Sequence, residues 1–248
     1  MKIGIVGAGN IGKTLSRKLS AAGHDVKIAN SRGPETIDPE ALSTGARAVD
    51  AADAVRDVEV VILSMPLNRM QAFASTLSAA PADAVVIDTS NYYPHRDERI
   101  DAIDDGEVES VWLSEQIGRP IVKAWNAIGS ASLADKGAPA GSPGRIAIPV
   151  AADDADARKL GMMLVDQTGF DGLDAGPLSE SWRQQPGAPC YCTDLTSEEM
   201  GDALAAAEKD RLPKRRDISI AAIAERVGDG TTNPGSDYAV RLTRALFM

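Results

Sequence analysis

The stretch Lys2-Ile3-Gly4-Ile5-Val6-Gly7-Ala8-Gly9-Asn10-Ile11-Gly12 decides the fold. Its first five residues read as a buried strand, and Gly7, Gly9 and Gly12 then form a GxGxxG loop. Ile11, Leu15, Leu19 and Ala22 recur at helical spacing, so the loop opens directly into an amphipathic helix. Gly23 ends that helix, and Val26-Lys27-Ile28-Ala29 reads as a second strand. Strand, glycine loop, helix and strand is the order a dinucleotide-binding unit requires. Gly7 permits the tight turn, Gly9 lets the backbone approach a pyrophosphate, and Gly12 lets the helix pack against the sheet. The helix beginning near Asn10 offers unpaired N–H groups and the positive end of its dipole to an anion, which puts Asn10 and Ile11 at the pyrophosphate. Such loops also occur in flavin-binding and methyl-transfer proteins. The position between a strand and an amphipathic helix is what favours the dinucleotide.

The second strand finishes in Asn30-Ser31-Arg32. A carboxylate there would grip a free ribose diol and repel a 2′-phosphate. Here an amide, a hydroxyl and a guanidinium stand instead, and Arg32 can form charge-assisted bonds to a phosphate that Ser31 supplements. These residues select NADP(H) over NAD(H). The competing reading makes Arg32 the start of a solvated loop through Gly33-Pro34.

At 248 residues the chain is long enough for a sizeable core, in one large domain or two small ones. The net charge of −10 argues against nucleic acid and anionic membranes as partners. No apolar run is long enough to span a bilayer and no signal-peptide pattern is present, which predicts a cytoplasmic protein. Cys190 and Cys192 are the only cysteines; a bridge between them would be strained, and a metal site would need ligands beyond the distant His24 and His95. They read as ordinary reduced thiols, with no metal site.

Further strands are expected at Ala46-Arg47-Ala48-Val49, Val58 to Leu63, Ala84 to Asp88 and Ile121 to Asn126, with helices over Asp50 to Asp57, Asn68 to about Ala80 and Val111 to Gly118. This alternation gives an α/β fold, a doubly wound parallel sheet of the Rossmann kind over residues 1–128. From about Gly129 the texture changes. A smaller C-terminal α/β lobe over 129–248 is expected to pack on the first domain, with strands at Arg145 to Val150 and Phe170 to Ala175. Helices are expected over Asp153 to Thr168, Ser179 to Gln185, Ser197 to Asp210 and Tyr238 to Phe247. Ligands on such sheets lie across the carboxyl ends of the strands, which makes Ser64, Met65, Pro66, Ser90 and Asn91 candidate cofactor contacts. The acidic stretch Asp101 to Glu109 reads as a solvated surface.

The whole pattern resembles the family of NADPH-dependent reductases of the deazaflavin coenzyme F-420, close in fold to the cytosolic oxidoreductase domain of the six-transmembrane metalloreductases. The matching stretches are Gly7 to Gly12, Asn30-Ser31-Arg32, Ser64-Met65-Pro66-Leu67 and Asp88-Thr89-Ser90-Asn91. Val122-Lys123-Ala124-Trp125-Asn126 and Asp174-Ala175-Gly176-Pro177-Leu178 also match, in order through roughly the first 180 residues. The resemblance implies pyrophosphate at Gly9, Asn10 and Ile11, 2′-phosphate at Ser31 and Arg32, and Pro66, Asn91 and Asn126 beside the ribose and nicotinamide. It also implies an acceptor cleft around Gly176, Pro177 and Leu178. Beyond residue 180 the chain departs from the family pattern. Trp182 could stack on a flat acceptor and Arg183 could pair with its acidic side chain, or the two could be a core anchor and a solvated charge.

The reading is an NADP(H)-dependent oxidoreductase, a possible homodimer, passing hydride to a small-molecule redox acceptor such as deazaflavin F-420 or a flavin. Such a transfer needs positioning more than acid–base catalysis, so no catalytic residue is singled out. A carbonyl or imine reductase would need a proton donor, for which Lys123 is the candidate at a strand end; its alternative is an ion pair on the sheet surface. His95 lies near the strand ends and His24 far from them. An NADP-binding sensor or partner-binding module without turnover is the other class.

Overall fold

In the computed structural model residues 1–228, 232 and 234–248 are described. The β-branched runs form six parallel strands: β1 (Lys2–Val6), β2 (Asp25–Ala29), β3 (Arg47–Ala48), β4 (Val60–Leu63), β5 (Val85–Asp88) and β6 (Ile121–Lys123). Their order is β3-β2-β1-β4-β5-β6, with every neighbouring pair parallel. The chain starts at the centre, runs outward to β3, then crosses back to β4. That reversal leaves a crevice at the carboxyl ends of β1 and β4, where a doubly wound sheet binds its ligand. The α/β fold read from the sequence is the fold observed.

Both faces of the sheet are covered, which is why its strands are apolar on both sides. Ile3, Ile5, Ile28 and Ile62 point to one face and meet Leu15 and Leu19 of α1 (Asn10–Ala21). Val6, Val61, Leu63 and Val86 point to the other. There they pack with α2 (Ala51–Ala54), α3 (Met70–Leu77) and, past the short helices α4 (Pro94–Asp97) and α5 (Asp101–Asp104), with α6 (Glu109–Ile117). The approach of α2 is close enough that a methyl group on Gly4 would overlap the Ala54 carbonyl oxygen.

After α7 (Ser130–Asp135) the chain makes a second, two-stranded parallel sheet from β7 (Ala147–Val150) and β8 (Asp171–Asp174), joined by α8 (Ala155–Gln167). This small sheet is bonded to the large one through Lys123: its N–H donates to the Ala151 carbonyl at 2.8 Å, and the Ala151 N–H donates back at 3.1 Å. Leu164, Val165 and Phe170 enter the same core as Ile3 and Ile5. The tail is helical, with α9 (Ser197–Ala205), α10 (Leu212–Val227) and α11 (Ser236–Phe247). A capping box between Thr196 and Glu199 starts α9.

Several boundaries differ from the sequence expectation for identifiable reasons. The last strand of the large sheet stops at Lys123 and not Asn126, because Trp125 takes φ 56° and turns the chain inward. Its buried indole N–H donates to Thr168 Oγ1 at 3.2 Å. The expected helix over Ser179 to Gln185 is a 3-10 run, Leu178–Gln184. Helix α10 was absent from the expectation, although Pro213 in its first turn and Gly228 just past its end are ordinary start and stop signals. The acidic stretch before α6 is not wholly solvated: Glu109 is 4% exposed.

Lys123 and Asp88 are both fully buried, with Lys123 Nζ 2.7 Å from Asp88 Oδ2. Removing one partner of such a pair leaves the other charge stranded, at a cost of about 3–5 kcal/mol. Lys123→Met is therefore expected to lower the urea midpoint severely. Gly4→Ala forces α2 off the sheet and is expected to cost about 1–3 kcal/mol, the range for overpacking, in the same measurement. Unchanged midpoints would contradict both packing arguments.

Candidate functional site

The glycine loop adopts the geometry its sequence requires. Gly7 sits at φ 112°, and any side chain on it would strike the Ser64 carbonyl; one on Gly12 would strike the Gly7 carbonyl. Around a Cβ on Gly9, by contrast, there is nothing within 4 Å, so the loop opens onto free space at that point. Gly9 caps α1 with no side-chain hydrogen bond, and the first intrahelical bond is Lys13 N–H to the Gly9 carbonyl. The N–H groups of Asn10, Ile11 and Gly12 thus face that space without helical acceptors. An open, uncapped helix N-terminus beside an unfilled glycine fits a diphosphate.

At the end of the neighbouring β2, Asn30 is occupied in shaping the loop. Its Oδ1 accepts the Arg32 N–H at 2.9 Å and its Nδ2 donates to Thr36 Oγ1 at 2.8 Å. Ser31 and the Arg32 guanidinium are left exposed. The side chains fit a 2′-phosphate on Ser31 and Arg32, with Asn30 fixing the turn that presents them.

A cavity of about 660 Å³ lies along the carboxyl ends of the strands, between the sheet and helices α10 and α11. Gly9, Asn10, Ile11, Ser64, Met65, Pro66, Asn91 and Asn126 all line it, so one crevice collects residues from four strand ends. Gly7 and Gly12 stand behind this lining as packing residues. Ser90 also lines it, and among the described residues its buried Oγ has no hydrogen-bond partner. The expected acceptor residues lie elsewhere. Gly176, Pro177, Leu178, Trp182 and Arg183 do not line this cavity. Leu178 is buried among Leu63, Met70 and Tyr92. Arg183 stacks on the Trp182 ring at 4.2 Å and pairs with Glu180 at 2.8 Å, while Trp182 packs against the core around Ala188 and Leu195.

What stands in their place is a polar wall in which the expected Asn91 and Asn126 are joined by Gln184, Tyr191 and Tyr93, which the sequence reading did not include. Asn91 Nδ2 donates to the Asn126 backbone carbonyl at 2.9 Å and to the Tyr191 hydroxyl at 3.2 Å. Asn126 Nδ2 donates to Asn91 Oδ1 at 3.1 Å and to the Gln184 backbone carbonyl at 2.7 Å, and Gln184 Nε2 returns a bond to Asn126 Oδ1 at 2.8 Å. Tyr191 and Tyr93 share a hydrogen bond of 2.6 Å between their hydroxyls. Arg96 lies 5.2 Å over the Tyr93 ring and donates to the Asn91 carbonyl at 2.7 Å, held in turn by Asp97. His95 meets Tyr93 edge-on. Opposite, Ile220, Ile223, Ala239 and Val240 form an apolar wall. Tyr93 and Arg96 follow within five residues of Asn91 and could have been noticed; Tyr191 is 100 residues away and carried no local signal.

Burial pushes the Tyr93 and Tyr191 phenols well above the ordinary tyrosine value. Both therefore remain protonated at neutral pH. Burial likewise raises the Cys190 thiol to about 12 and lifts Cys192, and both cysteines are free, Cys192 lining the cavity. Lys123 does not reach the cavity. Its ammonium is held beneath the floor by Asp88 and by the Ser90 carbonyl, and Asp88 Oδ1 also accepts the Ser90 N–H at 2.8 Å. It pairs an acid, as one reading anticipated, but in the interior and not on the sheet surface. His24 contacts Gln167 and the chain's first residue, away from the cavity, whereas His95 lines it. Among the described residues no group of three or more His, Cys, Asp or Glu could hold a metal ion, and no helix is long and apolar enough to cross a membrane.

Glu109, buried at the start of α6, accepts the Tyr92 N–H at 3.1 Å. Desolvation raises its carboxyl from 4.5 to about 7, against the opposing pull of Lys123. A carboxyl raised on folding stabilises the native state fully below its unfolded value and loses that contribution as pH rises through the folded one. Stability is therefore expected to fall between about pH 4.5 and about pH 7 through this group. Glu109→Gln should remove that component. Urea midpoints across the range check it, and identical pH slopes in the two proteins would refute it.

The comparisons with known proteins agree with this geometry. Residues 2–92 match the profile of the family described as NADP oxidoreductase coenzyme F420-dependent. The chain is 46% identical over 71 residues to the protein YjhV of Escherichia coli (strain K12), a match covering 29% of this chain and 52% of that one. The chain thus spans about half the length of that curated relative. A structure of the hypothetical protein SMa0349 from Sinorhizobium meliloti superposes with a TM-score of 0.68 at 29% identity, covering 79% of this chain and 96% of that one. A "putative F420 dependent NADP-reductase" from Arthrobacter sp. FB24 shares the fold at 18% identity and TM-score 0.55, over 95% and 98% of the two chains. The glycine loop, Arg32, Ser64–Pro66 and Asn91 all fall inside the span that is similar to this NADP oxidoreductase family.

Proposed function

We propose that the protein transfers hydride between NADPH and a small acceptor seated in the cavity between the strand ends and helices α10 and α11. One observation carries the reading: the open N-terminus of α1, the Ser64–Pro66 edge and the Asn91–Asn126 pair line a single cavity, and the Arg32 loop flanks the glycine loop. When bound, NADPH supplies the hydride. Gly9, Asn10 and Ile11 hold its diphosphate, Ser31 and Arg32 its 2′-phosphate, and Ser64, Met65, Pro66, Asn91 and Asn126 surround the nicotinamide end.

The remaining space has one polar and one apolar wall. That division suits a flat heteroaromatic acceptor, a deazaflavin of the F-420 kind or a flavin, whose faces are apolar and whose rim carries oxygens and nitrogens. The protein's part is to bring donor and acceptor together and to exclude water. The helices α10 and α11 do so by roofing the cavity.

The test is nicotinamide absorbance of NADPH with purified protein while 5-deazaflavins, flavins, quinones and ferric chelates are added singly. NADPH consumption with a deazaflavin or flavin supports the reading. Tight NADPH binding with no consumption by any acceptor would favour a sensor. The cofactor assignment has its own check, because Arg32→Ala is expected to weaken NADPH binding by about 1.5–3 kcal/mol, the scale of a bond to a charged group, and to leave NADH binding unchanged. Equal losses for both cofactors in a fluorescence titration would overturn it.

A further inference from the structure

The hydrogen bonds of the polar wall have a fixed direction, because backbone carbonyls can only accept. The Asn126 carbonyl takes a proton from Asn91 Nδ2, which settles the orientation of the Asn91 amide. The Gln184 carbonyl does the same for Asn126, and Gln184 Nε2 donates to Asn126 Oδ1. The second proton of Asn91 Nδ2 therefore goes to the Tyr191 oxygen. Tyr191 also touches the Cys192 thiol, but sulfur is a weak acceptor, so the Tyr191 proton goes to the Tyr93 oxygen only 2.6 Å away. Tyr93 is the end of the series. Among the described residues its own proton has no acceptor left in this arrangement, and Tyr93 lines the cavity.

We infer that the Tyr93 hydroxyl is a catalytic donor to the acceptor, and that the acceptor therefore carries a carbonyl oxygen either on the atom that receives hydride or conjugated to it. Tyr191 is a positioning residue, held by Asn91. This rests on the NADPH reading above. As hydride bonds to the acceptor carbon, or to the ring nitrogen of a flavin, and the nicotinamide C4–H bond breaks, the π electron pair of the acceptor moves onto its carbonyl oxygen. A donor already aimed there stabilises the developing charge without reorganising. The oxygen takes the Tyr93 proton and the tyrosinate recovers one from water; in a ring acceptor the proton settles on the conjugated ring nitrogen. The balance is acceptor plus NADPH plus a proton, giving reduced acceptor plus NADP⁺.

The chemistry has two sources, a deazaflavin or flavin ring and a small keto compound, so 5-deazariboflavin, riboflavin and methyl benzoylformate are the probes. NADPH affinity is read by nicotinamide fluorescence in wild type, Tyr93→Phe, Tyr191→Phe and Tyr238→Phe, the last a control outside the cavity. Acceptor binding is read separately by titrating each probe into the NADP⁺-loaded protein. The expected result is NADPH affinity within about twofold in all four proteins. Acceptor binding in Tyr93→Phe should weaken at least about fivefold, and kcat should fall about 10²-fold, the scale for losing one such donor. Tyr191→Phe should give a smaller loss, and Tyr238→Phe none. Whichever probe binds names the source. Unchanged acceptor binding and kcat in Tyr93→Phe would overturn the inference, as would failure of all three probes to bind a wild-type protein that binds NADPH. Failure to bind NADPH at all would instead remove the cofactor reading on which it rests.

Discussion

The buried Lys123–Asp88 pair is the joint on which the rest of this molecule depends. Two opposite charges withdrawn from water hold each other only where geometry is fixed and every remaining valence is used. Here Asp88 accepts from Lys123 through one oxygen and from the Ser90 N–H through the other, while Lys123 also reaches the Ser90 carbonyl. Strands β5 and β6 are thereby tied at their carboxyl ends, and the turn that carries Ser90 and Asn91 is fixed over them. The backbone of Lys123 bonds Ala151 and so attaches the small sheet as well. One residue sets the floor of the cavity and the position of the small sheet.

From that floor, order passes outward through amides. Asn91, Asn126 and Gln184 come from three separate segments and interlock with directions imposed by main-chain carbonyls. The result is a wall whose donors run toward the cavity and whose last members are two phenols kept neutral by burial. The facing wall of α10 and α11 is apolar. The proposed hydride transfer would gain from both features, since an apolar roof excludes water and a low dielectric strengthens each remaining donor.

The readable parts of the site were those made by consecutive residues. The glycine loop, the Asn30-Ser31-Arg32 turn and the strand ends at Ser64–Pro66, Asn91 and Asn126 each sit in a short local pattern, and the lining of one cavity unites most of them. Trp182 and Arg183 suggested an acceptor contact because an aromatic beside a cation is a plausible stacking pair. They satisfy each other and Glu180 instead. Lys123 looked like a surface charge because lysine usually is one. Its burial follows from a partner 35 residues earlier, which no local pattern encodes.

The sequence by itself determined the doubly wound sheet, the glycine-loop crevice and the Asn30-Ser31-Arg32 turn, because alternating apolar runs, glycine spacing and strand-end residues are local causes of local structure. The tertiary structure alone decided what faces the strand-end residues across the cavity. Tyr93 and Tyr191 meet across about a hundred positions of chain, and α10 and α11 roof the cavity from the far end of the sequence. Contacts of that kind arise when separate elements are packed to bury their apolar faces. No residue in them announces its partner beforehand.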